Sequence, residues 1–145
     1  MTGTRKWEID GVLVVRGGTL QAALRQSCAM GRVTALSFTG TGGRETWIGL
    51  VSLQPCANTG PHHHGRHEVA IYLVKGSSEI RWGEQLEFRT VVGAGDFVYF
   101  APYVPHQEVN LDNANPVEFI VVRSDGERIA DGLDIAPAQE PLIIE

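Results

Sequence analysis

The stretch TGPHHHGRHEVAIYLVKG, residues 59–76, decides how this chain is read. It sets His62, His63, His64, His67 and Glu68 between a Gly-Pro turn and an alternating apolar run that ends in Gly76. On an extended backbone, side chains two apart share a face, so His62 and His64 can converge on one point while His63 points away. Glu68 opens the following strand after a short turn through Gly65, close enough for its carboxylate to fold back toward them. The fifth and last histidine, His106, lies in GDFVYFAPYVPHQEVN, residues 95–110, behind a proline-braced loop that leads into another strand. Three imidazoles and a carboxylate form a borderline-to-hard donor set, so His62, His64, Glu68 and His106 are expected to bind one divalent transition metal per chain, Fe, Mn, Ni, Cu or Zn. A metal that prefers six ligands keeps two positions open to water, substrate or O2.

Outward from that stretch, short runs rich in β-branched and aromatic residues recur: VTALSF (33–38), TWIGLVSL (46–53), EVAIYLV (68–74), SEIRW (78–82), LEFRTVV (86–92), DFVYF (96–100) and VEFIVVR (117–123). Turn signals such as TGTGG, NTGP, WGEQ, GAGD and DNANP separate them. Many short strands at close spacing predict an all-β sandwich or barrel. Only TLQAALRQS, residues 19–27, reads as a helix, with Thr19 as its N-cap. The expected organisation is a single domain over residues 1–145, with a core at about 33–123, an N-terminal extension over 1–32 and a C-terminal tail over 124–145. The tail is open to two readings, a loose arm or a segment docked on a partner subunit.

Composition narrows the functional classes. The 145 residues carry 43% hydrophobic and 20% charged side chains, an ordinary soluble globular balance. A formal charge of −5 and scattered single arginines argue against a nucleic-acid partner. No apolar run has the length of a signal or a membrane span, which makes a cytoplasmic location the expectation and a membrane role not. Two cysteines, Cys28 and Cys56, read as free thiols in a reducing compartment.

The two histidine stretches resemble the paired signature motifs of the cupin superfamily, and the chain is most similar to small single-domain, RmlC-like cupins with an HHHG-type first motif. The first motif is carried by His62-x-His64-x3-Glu68 and ends at Gly76; the second runs from Gly95-Asp96 through Pro102, Pro105 and His106 to Asn110. The resemblance spans roughly residues 45–123 and implies a double-stranded β-helix, or jelly roll, with a short N-terminal helix. It departs from the usual pattern at Cys56, where the first motif opens with glycine, and at Tyr103, where the second commonly has one. Glu68 also lies one residue further from Gly76 than is usual, and Val69 takes the customary place. A bulge is expected to absorb the difference; otherwise Glu68 faces away and His67 or a water completes the shell.

What the resemblance implies is a metalloenzyme acting on a small organic molecule, of oxygenase or isomerase/cyclase type, with a three-His, one-Glu centre. If Glu68 is not a ligand, it becomes the candidate general base. The alternatives are a non-catalytic, small-molecule-binding sensor and a metal-free structural or epimerase-like cupin. His63 and His67 are expected to be outer-sphere or solvent-facing, Asn110 to close backbone hydrogen bonds, and Cys56 to be a small buried hydrophobe. A homodimer is expected, with GVLVV (11–15) or PLIIE (141–145) helping to cover a sheet edge.

Overall fold

A computed structural model describes residues 7–8, 11–25, 30–37, 45–124 and 131–145. The helix α1 (Gly17–Arg25) precedes β1 (Met30–Leu36), β2 (Thr46–Leu53), β3 (His62–His63), β4 (Val69–Lys75), β5 (Ser77–Trp82) and β6 (Phe88–Gly93). Then come β7 (Phe97–Phe100), β8 (His106–Val109), β9 (Val117–Ser124), β10 (Asp131–Gly132) and β11 (Leu142–Ile143). They form a five-stranded sheet, β1-β2-β9-β4-β7, and a six-stranded sheet, β10-β3-β8-β5-β6-β11. The expected jelly roll is therefore present.

Period-two alternation decides what faces inward. In β4, Val69, Ile71 and Leu73 are buried while Ala70 and Val74 are exposed. Directly opposed residues of paired strands share a face, so register extends this inner surface across the sheet. Trp47 opposes Arg123, Arg123 opposes Val69, and Val69 opposes Phe100, one inward row at the mouth of the barrel. Val51, Phe119 and Leu73 make a deeper row. The facing sheet contributes Ile80, opposite Glu108, and Trp82, opposite His106. Burial of Leu53, Leu73, Ile80, Val117 and Phe119 between the sheets supplies the apolar driving force.

Two glycines are required by close approach. The six-membered ring of the Trp47 indole lies across Gly49, where any Cβ would collide with it. Gly76, at φ 84°, turns β4 into β5 with the Pro116 carbonyl 2.9 Å from where a Cβ would stand. Asn110, 1% exposed, closes the β8 end as expected: its Nδ2 donates to the carbonyls of Leu53, Gln54 and Asn115, and its Oδ1 accepts from Asp112 N.

Three expectations are corrected. The helix starts at Gly17 and not beyond Thr19, whose hydroxyl donates to the Arg16 carbonyl from inside the first turn; residues 26–27 and 38 lie outside the described residues. The described part of the tail, residues 131–145, is not a loose arm: β10 pairs with β3 and β11 runs parallel to β6, so it forms both margins of the six-stranded sheet. Cys56 is exposed rather than buried, at φ 63° in a turn where its N–H donates to the Asp112 carbonyl.

Candidate metal centre

β3 and β8 are neighbours, and His62 stands directly opposite His106. His64 follows β3 on the same face as His62, as alternation requires. The ligand atoms of His62, His64 and His106 all lie within 4.8 Å of one another, and the ring centroids of His62 and His106 are 4.4 Å apart. Nitrogens on one shared ion, with bonds of about 2.0–2.1 Å, stand about 3–4 Å apart, so the cluster fits a metal with small ring adjustments.

The outer nitrogens of two of these rings are anchored. His62 Nδ1 lies 2.9 Å from the Gly60 carbonyl and His106 Nδ1 lies 2.9 Å from that of Val104. A carbonyl only accepts, so each Nδ1 carries the proton and donates it, leaving Nε2 with its lone pair toward the centre. His106 Nε2 is buried and makes no hydrogen bond, so its lone pair is open toward the His62 and His64 rings, as a metal ligand requires. Phe100 stacks on the same ring at 4.0 Å and 18°. Burial holds the His106 imidazole below its ordinary pKa against the pull of Glu108, and the charges of His62 and His63 reinforce burial. A ring kept neutral in this way is a competent metal ligand.

The carboxylate beside the imidazoles belongs to Glu108 and not to Glu68. Its oxygens lie 4.0 Å from His62 Nε2 and 3.8 Å from His106 Nε2. Thr59 holds it: the hydroxyl donates to Glu108 Oε2 at 2.9 Å and accepts from the Glu108 amide at 3.1 Å. Burial alone would raise the Glu108 carboxyl, but the imidazoles of His106, His62 and His64 and the Thr59 hydrogen bond outweigh it and hold the pKa below the usual value. Glu108 is two residues beyond His106 on β8, and the same alternation that pairs His62 with His64 would have exposed it to view.

Glu68 is not brought to the imidazoles. It is exposed; its amide donates to Ser124 Oγ at 3.1 Å, and its carboxylate accepts the Tyr99 hydroxyl at 2.8 Å. A bulge does interrupt the β4–β9 register, but between Leu73 and Lys75, beyond the inward run that begins at Val69. Val69 therefore keeps the inward place and Glu68 the outward one. His67 is buried but stands outside the trio, and His63 turns away to accept from Gly65 N and to contact the Tyr103 ring. Tyr103 is exposed against His63 and takes no part in lining the cavity.

A narrow cavity of about 30 Å³ opens beside the centre, with Thr59, His62, His64 and Glu108 on one wall and Trp47, Val69, Phe119 and Arg123 on the other. Of the aromatic side chains, Trp47 and Phe119 line it, whereas Tyr72 packs against Phe97. Among the described residues, no helix is long and apolar enough to cross a membrane.

Solved structures share this architecture at low identity. The polyketide cyclase RemF from Streptomyces resistomycificus matches with a TM-score of 0.63 and 21% identity over 78% of this chain and 75% of its own. A Klebsiella pneumoniae protein with a double-stranded β-helix domain matches at 0.66 and 18% over 79% and 94% of the respective chains. A Bacillus subtilis oxalate decarboxylase variant matches at 0.66 and 23%, over 75% of this chain but only 29% of its own. At such identities the likeness establishes the fold alone. No curated protein matches the sequence. The sequence model of the cupin domain, however, matches residues 49–123, just over half of the chain. With the jelly roll and its inward histidines, that match shows that the chain belongs to the cupin domain family.

Proposed function

We propose that the protein is a metalloenzyme acting on a small organic molecule, with one divalent transition metal, Fe, Mn, Ni, Cu or Zn, held by His62, His64 and His106. The observation that carries this reading is the convergence of three ligand atoms within 4.8 Å, with the Nδ1 atoms of His62 and His106 already committed to backbone carbonyls. Glu108 takes the role first assigned to Glu68, supplying negative charge beside the ion. When bound, the metal would polarise a carbonyl or enediol oxygen or acidify a water. Thr59 holds the Glu108 carboxylate in place, and Phe100 fixes the plane of the His106 ring. Apolar walls from Val69 and Phe119 exclude bulk water from the reacting end of the substrate. Cyclase is the activity named for one of the similar structures, which favours isomerase/cyclase chemistry; oxygenase-type chemistry rests on the open positions that a six-ligand metal would keep beside three imidazoles.

Elemental analysis of tag-free protein purified without chelator tests the reading. Near-stoichiometric metal is expected, lost in His106→Ala, reduced in Glu108→Gln and retained in Glu68→Gln. Protein that stays metal-free after reconstitution overturns it. O2 uptake during turnover then separates an oxygenase from an isomerase or cyclase. We propose a homodimer as the assembly, since the tail covers the six-stranded sheet while the β7 margin of the other sheet leaves Phe97 and Tyr99 exposed. Sedimentation as a monomer at micromolar concentration would refute that assembly.

A further inference from the structure

We infer that the barrel holds a second ligand site, an apolar cavity beside Phe100 that takes one neutral aromatic ring of the phenol class. The cavity has a volume of about 300 Å³ and lies between Ile80, Trp82 and Thr90 of β5 and β6 and Val98 and Phe100 of β7, with Val104 completing the wall. His62, His64 and His106 do not line it, so the inference goes beyond the metal reading and does not depend on it.

The fold explains why a space stands open there. Ile80 and Thr90 are directly opposed, and Trp82 is opposed to His106, so alternation turns all of them into the barrel. Val98 and Phe100 come from β7, which is the margin of the other sheet and hydrogen-bonds to β4 alone. No ladder joins β7 to β6, and the two sheets part at this point. The large side chains around the gap are already committed. Phe100 stacks on His106 at 4.0 Å, and Trp82 packs with Phe88 at 5.8 Å between ring centroids. Collapse into the space would cost those contacts, whereas a ligand would supply the lining with the packing partners it lacks.

Size and chemistry select the ligand. An apolar cavity of about 150 Å³ already takes benzene, and sites for small molecules begin at about 300 Å³, so one ring with a short substituent fits. Among the described residues no charged side chain lines the cavity, and an ionised ligand would lose its hydration without a partner. Tyr99 also borders it, but its hydroxyl donates to Glu68. That leaves the Thr90 hydroxyl and the Trp82 N–H as the polar side-chain groups of the lining. A single hydroxyl on the ligand can accept from the indole and exchange a hydrogen bond with the threonine. Trp82 and Phe100 supply aromatic surface for the ring itself.

The test measures phenol, toluene and benzoate binding to the protein as purified, by calorimetry or ligand-observed NMR. Phenol and toluene should both bind, phenol at least about tenfold tighter than benzoate. Toluene carries no donor atom for a metal, so its binding is not binding at the imidazoles. Thr90→Val should weaken phenol about fivefold and leave toluene as it was. Val98→Phe, at a half-buried position on the margin, should abolish the binding of both with metal content unchanged. Wild-type protein that binds neither phenol nor toluene, benzoate that binds as well as phenol, or undiminished toluene binding to a folded Val98→Phe overturns the inference. Should Val98→Phe not fold, a wild-type crystal soaked in 4-bromophenol decides. Anomalous bromine density between Trp82 and Phe100 supports the site, and density elsewhere or none overturns it. Toluene binding to a protein that stays metal-free after reconstitution would sink the metal reading and leave this one standing.

Discussion

Cys56 and Tyr103 both hold φ at 63°, the left-handed region. They are also the two positions where the resembling motifs have glycine. An L side chain in that region carries about 1–2 kcal/mol of strain, and the exposed Cys56 thiol offers only a 3.9 Å contact with the Asp112 carbonyl in return. Cys56→Gly is therefore expected to stabilise the fold by about 1 kcal/mol, read as a rise in the midpoint of thermal or denaturant unfolding. A second outcome concerns Tyr99, whose hydrogen bond to Glu68, followed by modest desolvation and the carboxylate charge, raises the phenol above its ordinary pKa. A pKa raised in the folded state means stability present below about pH 10 and lost as pH climbs through the folded value. Ultraviolet titration should find one phenol ionising late and returning toward the ordinary range in Glu68→Gln; no change would place Glu68 elsewhere. The sequence displayed His62, His64 and His106 because each lies in a recognisable spacing. Glu108 was legible from its two-residue spacing to His106, but the loss of Glu68 was not, because inward facing at the start of a strand turns on a single residue. Here the apolar Val69 claims the core and drives Glu68 out.

At the scale of elements, β2 matches its apolar run from Thr46 to Leu53, and β4, β5, β6, β7 and β9 begin or end within two residues of theirs. β-branched residues bounded by turns suffice to locate such strands. β10 and β11, of two residues each, carry no periodicity to detect, and their partners are far away in sequence. The packing of Trp47 over Gly49 was equally hidden, since it joins two residues of one strand through a rotamer. A methyl at that point would push the indole off its seat. Gly49→Ala is expected to destabilise by about 1–3 kcal/mol and to alter tryptophan near-ultraviolet dichroism.

On the scale of the whole molecule, the chain closes its own larger sheet. Leu133 N donates to the Pro61 carbonyl, and Leu142 N and Ile144 N donate to those of Glu87 and Arg89. Bare edges invite pairing with other chains. Deleting residues 131–145 should therefore yield protein that self-associates, visible as rising light scattering at concentrations where the full chain stays clear. It should also lower metal content, because β10 pairs with His62 and His63.

That pairing gives the tail the character of a strap. Residues 133–141 join the strand that flanks His62 to the strand that flanks Phe88, so the two sides of the sheet are tied by one short tether. Slack released on one side becomes slack on the other. Fraying at the far margin, well away from the imidazoles, is then mechanically connected to the stiffness of the strand that bears His62, and the steadiness of the centre is set partly by residues that never touch it.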